Sequence, residues 1–310
     1  MKKIATREAY GTALAALVQT NKDVIVLDAD LSKSTKTADA KVANPDCFYN
    51  MGIAEANMVG VAGGLASCGK TVFASSFAMF LAGRAFEQIR NTIAYPKLNV
   101  KLCATHAGIS VGEDGASHQS IEDIALMRSI PHMTVLSPCD AVETEAMIQA
   151  VAEFNGPCYV RLGRLGVSNL NNKETYKFEL GKGVTLNEGN DLTIITTGSM
   201  VEVAVEACAE LKSQGINARL INIHTIKPLD KELIIKVAKE TGAIVTAEEH
   251  SVIGGLGSAV SEVLSEECPV KVLKVGVQDK FGQSGKPHEL FEEYNLTKEE
   301  IVKKALLAIK

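Results

Sequence analysis

A chain of 310 residues with 46% hydrophobic and 22% charged side chains can bury one large core or two ordinary ones, and two domains are the expected arrangement. Its formal charge of -5 contains no long run of one sign, which excludes a track for nucleic acid or an anionic membrane surface and leaves a small molecule or a protein partner. Seven scattered cysteines without a C-x-x-C pair exclude a zinc or dithiol motif and read as buried thiols of a reducing cytosol.

Arg7 and Glu8 interrupt what would have to be the apolar core of a signal peptide, and Lys70 with many glycines and serines breaks the longest weakly polar stretch, residues 56–83. A soluble cytoplasmic protein is expected. Residues 6–19 carry Ala and Leu at helical spacing, and the β-branched run 24–27 reads as a buried strand ending at Asp28. The alternation continues with helix 54–66, strand 71–74, a long helix 77–94, strand 100–104, helix 121–128, strand 134–136, helix 141–154 and strand 158–161. Between 163 and 191 the sequence turns to Asn, Lys, Glu and Gly, which predicts a linker with room for a hairpin. A second alternation of strands and helices fills 192–275. The fold class is therefore α/β, in two domains that are each a mostly parallel sheet flanked by helices, with boundaries at 1–170, 171–190 for the linker and 191–310.

Three stretches could carry chemistry. Met51-Gly52-Ile53-Ala54-Glu55 puts one carboxyl at the start of an apolar helix, where it either favours the helix N-terminus or faces a heterocycle nitrogen. Phe77 and Phe80 follow in the next strand and turn, as plain core or as a slot for a flat ring. The densest polar run, from Thr105-His106 to Gly112-Glu113-Asp114-Gly115-Ala116-Ser117-His118-Gln119, holds two of the six histidines directly after a strand, where a parallel sheet presents ligands. Its spacing matches no metal-ligand pair, and no metal site is assigned to this chain. Arg7, Arg161 and Arg164 are candidate phosphate forks, of interest if the fold brings Arg7 and Arg164 to one mouth. The glycine-rich strings 60–64 and 254–257 lack the dinucleotide pattern and read as close backbone packing.

Taken together, these strings resemble the transketolase family over nearly the whole chain, most sharply between Arg7 and Arg164. The resemblance implies a thiamine-diphosphate enzyme transferring a two-carbon ketol unit between a ketose phosphate and an aldose phosphate. Glu55 matches the glutamate that bonds the cofactor pyrimidine, a proton relay favoured if its surround is apolar. Phe77 and Phe80 match aromatics packed on that ring, and Asp30 an aspartate near the cofactor and the subunit interface. His118 and Asp114 match contacts to the sugar hydroxyls. Arg7, Ser34, His106 and Arg164 match the phosphate group's partners. Glu55 and His118 are the catalytic pair so implied.

No G-D-G with a following Asn-rich metal segment is found, so the half that holds the diphosphate and its magnesium is expected on a partner, the N-terminal subunit of a split enzyme, within a heterotetramer. The second domain resembles the family's C-terminal domain and is assigned no catalysis. The alternatives are the β subunit of a 2-oxo-acid dehydrogenase, a deoxyxylulose-phosphate synthase, and a non-catalytic partner subunit.

Overall fold

Strands buried on both faces need continuous apolar runs, because helices cover a parallel sheet above and below. The chain meets that condition in both halves, and the computed structural model, which describes residues 3–310, folds into two α/β domains. The strands are β1 (Ile4–Ala5), β2 (Val24–Asp28), β3 (Phe48–Asn50), β4 (Thr71–Phe77), β5 (Val100–Thr105), β6 (Thr134–Leu136), β7 (Cys158–Arg161), β8 (Gly166–Val167), β9 (Val184–Asn187), β10 (Leu192–Thr196), β11 (Ala218–Asn222), β12 (Thr225–Lys227), β13 (Ala243–Ser251) and β14 (Lys271–Val277). The first sheet has the order β12-β6-β7-β5-β4-β2-β3 and the second β14-β13-β10-β11-β9. Only the β12–β6 and β11–β9 ladders within them are antiparallel.

Several expectations are corrected. The segment 77–94 is not one long helix. Phe77 still belongs to β4, and the chain then winds through two π-helical stretches, Phe80–Arg84 and Ile89–Ala94, around a short turn of α-helix, Phe86–Gln88. The linker holds no hairpin: β8 pairs antiparallel with β1, whereas β9 pairs antiparallel with β11 on the other domain's sheet. Nor is the second half self-contained, because β12 leaves it to form the edge of the first sheet against β6.

Apolar packing joins the domains in the same way. One buried cluster combines Leu81, Ile124 and Met127 of the first with Ile226, Ile234, Leu256 and Val260 of the second. A continuous core of this kind opposes separation of the two domains, since sliding them apart would expose it to water.

Among the glycine strings, close packing holds at Gly63, where a Cβ would lie 2.7 Å from the Thr92 side chain, and at Gly255, where it would lie 1.9 Å from Glu248 Oε2. Gly60 and Gly64 instead have no neighbour within 4 Å for such an atom. The Glu248 carboxyl accepts from the backbone N–H groups of Leu256 and Gly257 at 2.7 and 2.8 Å. The start of the helix Leu256–Glu267 is thus filled by a protein carboxyl, in the position where a nucleotide phosphate would sit.

Arg161 is not a phosphate fork. It is buried, donates to Asp123 Oδ2 at 2.9 Å, and reaches the Glu249 carbonyl of the second domain at 2.8 Å, while Tyr159 donates to the same Asp123 oxygen at 2.8 Å. Asp123 is therefore predicted to be a stability residue: Asp123→Ala, which strands a buried guanidinium, should cost about 3–5 kcal/mol in denaturant unfolding. A loss under about 1 kcal/mol, the range of an exposed ion pair, would contradict that role.

Candidate functional site

Strand register builds the site. Phe77 closes β4 opposite Thr105, which closes β5, so the residue after Thr105 emerges beside Phe77 at the carboxyl end of the sheet. That residue is His106, in the left-handed region at φ 57°, and its ring stacks on Phe77 at a centroid distance of 3.8 Å. Phe80 stacks on Phe77 at 5.8 Å, and His118 meets Phe80 edge-on at 5.0 Å. Together they form one aromatic wall.

The small β1–β8 ladder supplies the opposite side. It pins the start of the helix Thr6–Thr20 against the segment after β7, where the Gly163 N–H donates to Thr6 Oγ1 at 2.8 Å. Arg7, in that helix's first turn, and Arg164, just past Gly163, consequently share a mouth. An open cleft of ≈ 370 Å³ is lined by Arg7, Ser34, Phe77, His106, Asp114, His118 and Arg164. All six side chains expected to meet substrate are in it.

Arg7 Nη1 donates to the Ser34 carbonyl and to His106 Nε2, both at 2.9 Å. Because a guanidinium can only donate, Nε2 must be the bare nitrogen of a neutral imidazole, leaving Nδ1–H for Thr105 Oγ1 at 2.9 Å. Burial, then the charges of Arg7 and Arg164, push the His106 pKa down to about 3. His106 therefore engages both ring nitrogens inside the protein and aims Arg7. Arg7 Nε is buried without a hydrogen-bond partner among the described residues, and burial and Arg164 both lower its pKa. Two guanidiniums at one mouth suit a tetrahedral anion, which can accept from both. Arg164 itself donates to the Val111 carbonyl at 2.6 Å and to Asp114 Oδ2 at 3.3 Å.

Glu55, Phe80 and Asp30 lie outside this lining. Glu55 opens the helix Glu55–Ser67 and is buried, but its surround is not the apolar one expected. Ser76 donates to its Oε1 at 3.0 Å, and Arg84 to its Oε2 at 3.4 Å while lying over the Phe80 ring at 4.2 Å. Arg84 was not anticipated; only its position four residues past Phe80 pointed to it. Asp30 is exposed at φ 66° and accepts from Asn50 Nδ2 at 2.8 Å. Among the described residues no three His, Cys, Asp or Glu side chains gather to hold a metal ion, and no helix is long and apolar enough to cross a membrane.

The linkage of His106 has a definite sign. A folded pKa below the unfolded one favours the neutral form, so its contribution is complete above about pH 6.5 and falls away as pH drops toward 3. Melting temperatures of wild type and His106→Gln should hence converge from pH 6.5 to 4, with His224, also depressed by burial, common to both. A difference independent of pH would count against the neutral, buried imidazole.

Residues 2–168 match the family model for the transketolase pyrimidine binding domain, and residues 181–301 that for the transketolase C-terminal domain. A Methanocaldococcus jannaschii protein provisionally named a transketolase C-terminal section is 51% identical over 98% of this chain and 96% of its own length. One of the subunits of the apulose-4-phosphate transketolase of Phocaeicola vulgatus is 40% identical over 99% of this chain and 98% of its own. A solved structure described as a split-gene transketolase, an inactive β4 tetramer, superposes with a TM-score of 0.91 at 54% identity, covering 99% of each chain.

Proposed function

The chain belongs to the transketolase family, and from that premise we propose that it is the subunit supplying the aminopyrimidine side of a thiamine-diphosphate site for ketol transfer between a ketose phosphate and an aldose phosphate. A partner subunit holds the cofactor diphosphate and Mg2+, and the two assemble as a heterotetramer. Residues 1–170 serve as the pyrimidine-binding domain, 171–190 as linker and 191–310 as the C-terminal domain.

The observation that carries this reading is the cleft in which Arg7 and Arg164 share a mouth with the aromatic wall and two polar side chains, Asp114 and His118. The cation pair suits the terminal phosphate of a sugar, and the wall shields the reacting end from water. The relative described as an inactive β4 tetramer fits a chain of this kind standing without its other half.

The residues present fit the cofactor's pyrimidine. Phe80 offers a flat face and Glu55 an acceptor oxygen beside it, and at present both are occupied by one side chain, Arg84. Phe80 and Glu55 Oε2 would hold the pyrimidine, with Ser76 keeping Oε1 in place. When bound, thiamine diphosphate supplies the electron sink for cleavage of the carbon–carbon bond. This chain's own residues do the rest: Glu55 holds a proton between Oε2 and the ring nitrogen, His118 and Asp114 orient the sugar hydroxyls, and Arg7 and Arg164 fix the phosphate, with Ser34 and His106 steadying Arg7. Asp30, held by Asn50, would serve near the cofactor and the subunit interface.

The decisive experiment is ketol transfer from xylulose 5-phosphate to ribose 5-phosphate, with thiamine diphosphate and Mg2+, by the chain alone and with a co-expressed diphosphate-binding subunit. Activity is expected only in the mixture, and an inert but verified complex would overturn the proposal. In the active mixture, Glu55→Gln should preserve assembly and lower kcat by ~100-fold or more, the range of a lost proton relay. Near-wild-type turnover would remove Glu55 from that role.

A further inference from the structure

The second domain touches the loop behind the cleft through one buried side chain. Glu249 lies near the carboxyl end of β13 and is buried, yet its Oε1 accepts from the backbone N–H of Ser110 in the first domain at 2.7 Å. Its Oε2 accepts from Ser199 Oγ at 2.5 Å, and its carbonyl from Arg161. The loop is shaped to admit it: Gly108 has φ 85°, and a Cβ there would lie 2.2 Å from Glu249 Oε1.

Ser110 is the second residue of the tight helical segment Ile109–Asp114, and an N–H in a first turn has no partner inside the helix. Glu249 satisfies that N–H and so fixes where the turn begins. The next residue, Val111, presents its carbonyl, and Asp114, beyond a kink at Gly112 (φ 85°), presents Oδ2; both receive Arg164 Nη1. A second strut comes from the same side, because Gln119 Nε2 donates to the Ile109 and Gly112 carbonyls and also to that of Gln283 in the second domain. The route from Glu249 to Arg164 is thus two hydrogen bonds joined by the backbone between Ser110 and Val111.

We infer that Glu249 is a positioning residue through which the second domain sets the phosphate-binding aim of Arg164. The inference rests on the proposed phosphosugar function for its kinetic form, but the link from Glu249 to the loop stands on geometry alone. A carboxyl that merely held the domains together would stabilise the chain without favouring one end of the substrate.

The test uses the assembled enzyme. Glu249→Ala should raise KM for a phosphorylated donor by ~10-fold with kcat within about twofold, and raise KM for a non-phosphorylated donor by less than about threefold. Glu249→Gln keeps an acceptor for the Ser110 N–H and should restore most of the affinity. Where Glu249→Ala fails to fold, Ser199→Ala, which removes a single hydrogen bond, should raise the same KM by about threefold. A wild-type KM in the variant that folds, or an equal loss with both donors, overturns the inference. Hydrogen exchange of the chain with and without inorganic phosphate separates this failure from failure of the functional reading. Phosphate should protect residues 106–119 in wild type and less so in Glu249→Ala, whether or not ketol transfer occurs, and equal protection in the two overturns the link.

Discussion

Everything at the mouth of the first domain follows from the register of β4 against β5. With Phe77 opposite Thr105, the next residue along must turn sharply, and His106 does so in the left-handed region with its ring on Phe77. From there the ring nitrogens are committed to Arg7 and Thr105, so the aim of Arg7 is set by a backbone pairing made within the sheet. A slip of one residue between these strands would turn Phe77 to the opposite face and dissolve the wall, the imidazole contact and the guanidinium's direction together.

The regular part of this architecture was legible because its signals are local. The run Val24 to Leu27 is apolar without alternation, and the helices before and after it keep their period, so parallel strands with covering helices could be read directly. The strands missed are short: β1 and β8 are two residues each, β3 and β12 three, and β9, inside the expected linker, four. Such lengths carry no period, and only the fold brings their partners near. The break in the segment 77–94 was equally hidden, since a π-helical stretch differs from an α-helix in backbone pairing rather than in composition.

The site divides along the same line. That Asp114, His118, His106 and Arg164 meet around one cleft was anticipated from a polar loop that follows a strand, together with the family resemblance. Three arginines look alike in the sequence, and what separates them is whether a carboxyl meets each one. Arg161 faces Asp123 deep in the core, Arg164 shares Asp114 at the rim, and Arg7 leaves a donor unfilled. The same holds for two neighbouring acids of β13: Glu248 turns to the start of a helix in its own domain, and Glu249 crosses into the other. Alternate side chains on a strand point to opposite faces, and here the two faces have different business.

The placement of β12 has a consequence for the order in which the protein can be made. A ribosome delivers β6 long before Thr225–Lys227, so the nascent first sheet waits with that edge bare while about ninety residues of chain are still to come. A bare edge invites pairing with another growing chain. The three residues of β12 thus act as a late clasp, and the first domain reaches its protected form only after part of the second has been synthesised and laid back across it.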